Sequence, residues 1–120
     1  MDLSSQRQYI QRAETAHEIL TTTDLITLYT SPSGGDFDFS IVQSILVCDH
    51  DNNATDITVT VTHEATVYNL FKEFTIGAYS TEELLSKSII IHQGDVLKIQ
   101  ANHAGNLDIH MSIVEYGKGD

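Results

Sequence analysis

The stretch DITVTVT, residues 56–62, decides the fold class of this chain because it alternates apolar and polar side chains without interruption. Successive side chains of a β-strand point to opposite faces, so Ile57, Val59 and Val61 share one face and the threonines share the other. β-Branched residues also suit a pleated, half-buried surface. The stretch therefore predicts a strand with one face in a core and the other in solvent.

The same alternation recurs along the chain, in LKIQA (97–101) and LDIHMSI (107–113), with Gly, Pro, Asn and Asp clustered between the runs. Eight strands are predicted, near residues 17–22, 25–30, 37–47, 56–62, 66–76, 82–91, 95–101 and 107–116. Short strands without intervening helical patterns are typical of an antiparallel all-β sandwich or barrel, and of these we expect a jelly-roll-like β-sandwich. A helical turn at residues 82–86 is the alternative to a strand there.

The N-terminal segment differs from the rest of the chain. Residues 1–18 are polar and carry both arginines, and their few apolar residues have helical spacing on a thin face. A helix this weak is marginal alone, so we expect an arm that orders against a neighbouring subunit, with simple disorder as the alternative. The predicted organisation is an arm (1–20), a β-sandwich domain (21–116) and a flexible tail (117–120). The predicted partner-binding residues are Arg7, Tyr9, Ile10 and Arg12.

The charge balance limits the classes of partner. Seventeen acidic residues oppose six basic ones, for a formal charge of −11. The basic residues are scattered, so the net field repels nucleic acids and anionic membranes and favours a partner with a basic patch. The longest apolar run is far shorter than the ~20 residues that cross a bilayer, and the N-terminus lacks the apolar stretch of a signal peptide. We therefore expect neither nucleic acid nor membrane as a partner.

The stretch LVCDHDNNATD, residues 46–56, gathers the only cysteine, a histidine and three aspartates. Adjacent residues of a strand point to alternating sides, so Cys48, Asp49 and His50 cannot all converge on one zinc ion. The glycine and distal glutamate of a calcium loop are missing. We expect the buried end of a strand at Leu46–Cys48, then a plain polar bend, with weak cation binding as the alternative. No metal site and no cofactor is predicted.

Other residue types that could carry chemistry do not form a recognisable site. The six histidines (17, 50, 63, 92, 103 and 110) fall mostly in or beside predicted turns, where a surface cluster is the alternative to dispersal; His110 is expected to face outward. No nucleophile elbow or phosphate-binding loop is present. Phe37 and Phe39 are predicted to share a face, which leaves a sugar platform open, although the chain has no tryptophan. We therefore predict that the protein is not an enzyme.

Four stretches taken in order carry a resemblance to known proteins. They are TTTDLITLYTSPSGG (21–35), SILVCDHDNNATDITVTV (44–61), YNLFKEFTI (68–76) and ELLSKSIIIHQGDVLKIQANHAGNLDIHMSIVEY (83–116). Together they resemble a group of small tailed-phage virion structural proteins. Each motif mostly encodes strands and turns, so the order of the motifs is the informative part. The N-terminal extension of about twenty residues departs from the group.

The resemblance implies a β-sandwich subunit of a virion, assembled in the host cytoplasm. Combined with the acidic charge and the expected arm, it leads us to predict a trimeric decoration or cement protein on the outer surface of the phage head. Its partners would be the major capsid protein and further copies of itself. A tail, neck or fibre component is the alternative within the same class. A receptor- or carbohydrate-binding sandwich is the alternative from another class.

Overall fold

In a computed structural model the chain folds into two packed antiparallel β-sheets. The structure describes the backbone of residues 8–119 and the side chains of residues 10–118. The strands in this range are β1 (Gln8–Leu20), β2 (Ile26–Thr30), β3 (Phe37–Asp49), β4 (Thr55–His63), β5 (Thr66–Ile76), β6 (Thr81–Glu83), β7 (Ile89–His92), β8 (Val96–Ala101) and β9 (Leu107–Gly119). The described part of the chain contains no helix, and therefore none that could span a membrane.

The strands pair as a jelly roll. The first sheet has the order β1-β9-β3-β6, with β7 also paired to β3, and the second has the order β2-β8-β4-β5. The pairs are nested from the ends of the described chain inward: β1 pairs with β9, β2 with β8, β3 with β6 and β7, and β4 with β5. These nested pairs alternate between the two sheets, which is the jelly-roll connection of a double-sheet sandwich. The predicted antiparallel sandwich is confirmed.

The core lies between the two sheets and is built by the alternation seen in the sequence. Ile57 and Val59 of β4 are fully buried, while the intervening Thr58 is only half-buried. The other fully buried apolar side chains come from β3, β8, β9 and the end of β5: Val42, Ile45, Val47, Ile76, Leu97, Ile99 and Met111. Burial of this apolar surface, without any disulfide, stabilises the packing of one sheet on the other.

The N-terminal segment differs from the predicted helical spacing. Residues 8–20 form β1, which pairs with β9 from Gln8↔Gly119 to Leu20↔Leu107 in the same chain. Leu20 is buried and Ala16 packs against the core, so the strand's inner face is partly apolar. A local window of sequence does not reveal a partner that lies about a hundred residues away. Residues 117–119 likewise continue β9, and residues 1–7 and 120 lie outside the described residues.

Two further details correct the sequence prediction. Instead of one strand at residues 82–91, the structure has the short strands β6 and β7. They separate because the chain turns Leu84 into the core, where its N–H bonds the carbonyl of Ile45 at 2.9 Å. Leu46 and Cys48 are not the buried end of β3: Leu46 is exposed and Cys48 is half-buried, while Val47 faces the core. A bulge between Val42 and Ser44 shifts the alternation of buried and exposed side chains by one residue in this part of β3.

Candidate functional site

Three of the four predicted partner-binding residues, Tyr9, Ile10 and Arg12, lie in the first half of β1, along the free edge of the first sheet. Tyr9 pairs with Lys118 and Ile10 with Gly117, and the Ile10 side chain is half-buried. Arg7 falls outside the described residues. Arg12 is opposite Glu115 in the β1–β9 register. Of the four predicted residues, Arg12 therefore has the most fully described surroundings.

Arg12 forms an ion pair with a buried carboxylate. Its Nε and Nη2 donate to Oε1 of Glu115 at 2.8 and 2.5 Å, and the Glu115 side chain is almost completely buried. Oε1 of Glu14 lies 2.8 Å from Arg12 Nε and adds a second ion pair, and the guanidinium lies 4.3 Å from the ring centroid of Phe37. The hydrogen bond to Glu115 raises the pKa of Arg12 above its ordinary value. The planar guanidinium is thus held between a carboxylate pair and an aromatic face.

The other oxygen of the same carboxylate reaches the second sheet. The hydroxyl of Tyr29, on β2, donates to Glu115 Oε2 and lies 2.9 Å from the hydroxyl of Ser40. The hydroxyl oxygens of Ser40 and Ser31 are 2.7 Å apart, and both residues are buried. Burial first, and then the bond to Glu115, raises the pKa of Tyr29 far above its ordinary value. Both carboxylate oxygens are therefore occupied by side chains of the protein, and the network joins the two sheets.

The two phenylalanines of the predicted sugar platform lie on opposite faces. Phe37 pairs with Gly117 and contacts Arg12 on the inner side, whereas Phe39 pairs with Tyr116 on the outer side. A bulge between Phe37 and Phe39 shifts the register and breaks the two-residue alternation. The Phe39 and Tyr116 rings stack with centroids 5.4 Å apart. The prediction that Phe37 and Phe39 share a face is therefore wrong. Phe39 and Tyr116 form one stacked pair, and Phe37 does not extend it into a platform.

The histidines are less dispersed than predicted. His63 Nδ1 lies 2.7 Å from Oδ1 of the buried Asp95, and its ring is 5.6 Å from that of His92. The hydrogen bond to Asp95 raises the pKa of His63. His17 and His110 form a second pair, and their rings are in contact on the outer face of the first sheet. His110 lies between the buried Ile109 and Met111, which agrees with its predicted outward position.

The loop after β3 is held by the chain itself. Asp49 is buried and its Oδ1 accepts the N–H of Asp51 at 2.9 Å, which closes a tight turn. The N–H of His50 bonds the carbonyl of Asn106, and His50 Nε2 lies 3.3 Å from Asp108. Among the side chains that the structure describes, no group of three or more His, Cys, Asp or Glu is arranged to hold a metal ion.

An apolar groove that the sequence pattern does not predict opens between the two sheets where β5 faces β7. The groove is lined mainly by Tyr68, Leu70, Phe71, Leu85, Ile89 and Ile90. Two of the lining residues, Tyr68 and Ile90, are 52% and 61% exposed. The groove exists because β6 and β7 are short and leave the inner face of β5 uncovered. The available signal was the run of apolar residues in β5 with no clear polar face.

Comparisons with known proteins give structural similarity only, since no protein-family model and no curated protein matches the sequence. A solved chain of the Bacillus endospore appendages, which form disulfide-linked pili, superposes with a TM-score of 0.59 at 10% identity, covering 100% of this chain and 96% of that one. A chain of the acid-stable capsid of Helicobacter pylori bacteriophage KHP30 gives 0.58 at 11% identity, covering 96% and 99%.

A third similar structure is larger. The chain superposes on a protein of infectious bursal disease virus, Gx strain, with a TM-score of 0.53 at 12% identity, covering 89% of this chain but 36% of that one. At these identities the comparisons establish a shared fold. The similar chains come from capsid structures and from a pilus.

Proposed function

We propose that this protein is a non-enzymatic structural subunit of a bacteriophage virion, and specifically a decoration protein on the outer surface of the major capsid protein lattice. The observation that carries the proposal is the jelly roll, which is similar to a phage capsid chain over nearly the full length of both chains. The order of motifs in the sequence supports the phage assignment. The candidate reactive groups support a structural role, because Glu115 and Asp95 already bond to neighbouring side chains.

Charge and edges support the assignment to the particle surface. The formal charge of −11 suits a position away from packaged DNA and a partner with basic patches. β1 is a free edge of the first sheet, and it carries charged side chains on its inner face, Arg12 among them. Inward-pointing charges protect an edge strand from unspecific pairing. We therefore propose that residues 1–20 contact the partner through side chains, with Arg7, Tyr9, Ile10 and Arg12 among them, and that the subunit is a trimer.

Immunogold labelling of purified particles tests the location. Antibodies against this chain should label the outer surface of phage heads. Label confined to the tail, neck or fibres would contradict the decoration role, and absence of the chain from particles would contradict a virion role.

Light scattering on the purified chain tests the oligomeric state. The measured mass should be three times the monomer mass, and the mass of a monomer would contradict the trimer.

Deletion of residues 2–7 tests the arm. This truncation leaves every strand of the described fold in place, so the far-UV spectrum should be unchanged while binding to undecorated capsids falls. The matched control is Glu64→Gln, which changes one exposed charge in the β4–β5 turn. Equal binding by the truncated and full-length chains would contradict a role of residues 2–7, Arg7 among them, in binding the capsid.

A self-assembling filament subunit is the second candidate. It is favoured by the similarity to the endospore appendage chain, which is as extensive as the similarity to the capsid chain. A head-to-tail interface generates filaments when its rotation does not close. Electron microscopy of the purified protein separates the candidates: filaments support this one, and discrete small oligomers support the decoration protein.

A further inference from the structure

His17 and His110 form a close imidazole pair on the outer face of the first sheet. They are opposite each other in the β1–β9 register, so both side chains point to the same side. Their Nδ1 atoms are 3.0 Å apart and their ring centroids are 4.3 Å apart, with an interplanar angle of 70°. His17 is exposed and His110 is half-buried, so the space next to both nitrogens is open to solvent.

The separation of the two nitrogens fits a shared metal ion. Metal–imidazole bonds are about 2.0–2.1 Å long, so two nitrogens 3.0 Å apart subtend an angle of about 95° at one ion. A tetrahedral angle would need a separation of about 3.3 Å. Angles near a right angle belong to tetragonal and octahedral coordination, which Ni²⁺ and Cu²⁺ adopt with nitrogen and oxygen ligands.

We propose that His17 and His110 are a two-histidine chelating site for a divalent transition-metal ion of the nickel or copper type. Both rings would carry their proton on Nε2, which leaves the two Nδ1 lone pairs for the metal. Water would fill the other coordination positions, because no third protein ligand converges with the pair among the described side chains. The site would thus be open, and it would lie on a surface that a neighbouring subunit can reach.

The surroundings of the pair favour a cation. His17 and His110 line a shallow groove of about 420 Å³ with Cys48, Asp108 and Ile19. Asp108 is one of the lining residues, and its carboxylate, which pairs with His50, adds negative charge near the two histidines; the chain as a whole is acidic. Without a metal, one Nδ1–H would donate to the other Nδ1. Metal binding requires the donating ring to shift its proton from Nδ1 to Nε2 through the solvent, with no net release of a proton and no rearrangement of the backbone.

Calorimetric titration of the full chain with NiCl₂ tests the site. The unmodified protein should bind one equivalent of Ni²⁺. Loss of a group that only hydrogen-bonds a metal ligand weakens metal binding by about 10–100-fold, so loss of a ligand itself in His17→Gln or His110→Gln should weaken it at least ~10-fold. His103→Gln is the matched control, since it removes one exposed histidine from a loop and should leave the affinity unchanged. Circular dichroism verifies that all three variants are folded.

Paramagnetic broadening gives the second readout. In ¹H–¹⁵N spectra, substoichiometric Ni²⁺ should broaden the signals of residues around 17 and 110 before any others. Absence of binding by the unmodified protein, retention of affinity by both single variants, or broadening centred elsewhere would overturn the proposal.

Discussion

At the residue scale, Glu115 illustrates how a buried charge is kept in this fold. It is 2% exposed, and its carboxylate accepts hydrogen bonds from Arg12 on the neighbouring strand and from Tyr29 on the opposite sheet. A buried carboxylate without partners is costly, so each partner has a structural effect larger than that of a surface hydrogen bond. Arg12, predicted to bind a partner protein, also has this internal role.

Tyr29→Phe should therefore destabilise the protein. The substitution keeps the ring and removes the hydroxyl that bonds Glu115 and Ser40, which leaves one carboxylate oxygen without its donor. We expect a loss of about 1–3 kcal/mol in the free energy of unfolding, measured by urea denaturation. Tyr68→Phe is the matched control because Tyr68 is exposed. Equal midpoints for both variants would show that the Tyr29–Glu115 bond adds nothing.

His63 predicts a pH dependence of stability. Its hydrogen bond to Asp95 raises its pKa in the folded state above the ordinary histidine value of about 6.5. The stabilisation is then fully present below about pH 6.5 and is lost as pH rises through the higher folded-state pKa. The difference in unfolding free energy between the unmodified protein and His63→Gln should be larger at about pH 5.5 than at about pH 8.5. A difference that stays constant over this range would contradict the assignment.

At the scale of elements, β1 is the strand whose local sequence and final structure differ most. Its polar, helix-spaced residues suggest an arm, yet thirteen residues pair with β9. The hydrogen bonds and inner-face contacts come from a partner strand at the opposite end of the chain. The strand is therefore stabilised by tertiary structure, while its position at the sheet edge still leaves one side free for a neighbour.

Deleting residues 2–18 should consequently lower the stability of the monomer, in contrast to deletion of residues 2–7. The longer deletion removes most of β1, leaves β9 as an unpaired edge and takes away the Arg12 partner of Glu115. We expect a lower urea midpoint for the longer deletion and an unchanged one for the shorter deletion. Identical midpoints for the two truncations would mean that β1 contributes no stability.

At the scale of the whole molecule, the jelly roll pairs the first described strand with the last one. Most strand pairs join segments that are distant in sequence, since β1 meets β9 and β2 meets β8. Loop-closure entropy must be offset before such contacts stabilise the chain, so sandwiches fold slowly. The two short strands β6 and β7 also leave the apolar groove open, which is a whole-molecule feature that no single strand encodes.

Refolding should accordingly be slow. We expect the main phase on a timescale of roughly milliseconds to seconds, which is the usual range for all-β sandwiches. Stopped-flow dilution from urea, followed by tyrosine fluorescence because the chain has no tryptophan, measures it. A main phase completed in microseconds would be incompatible with folding through the β1–β9 pairing.

The sequence by itself determined the fold class, since two-residue alternation in stretches such as residues 56–62 depends only on local geometry. It also indicated the outward position of His110. The tertiary structure decided the bulges at Phe37/Phe39 and Val42/Ser44. It also decided the inclusion of β1 in the sheet and the open groove beside β5. The physical reason is that alternation specifies which side chains share a face, whereas register, partner strand and the covering of each face depend on residues far away in the chain.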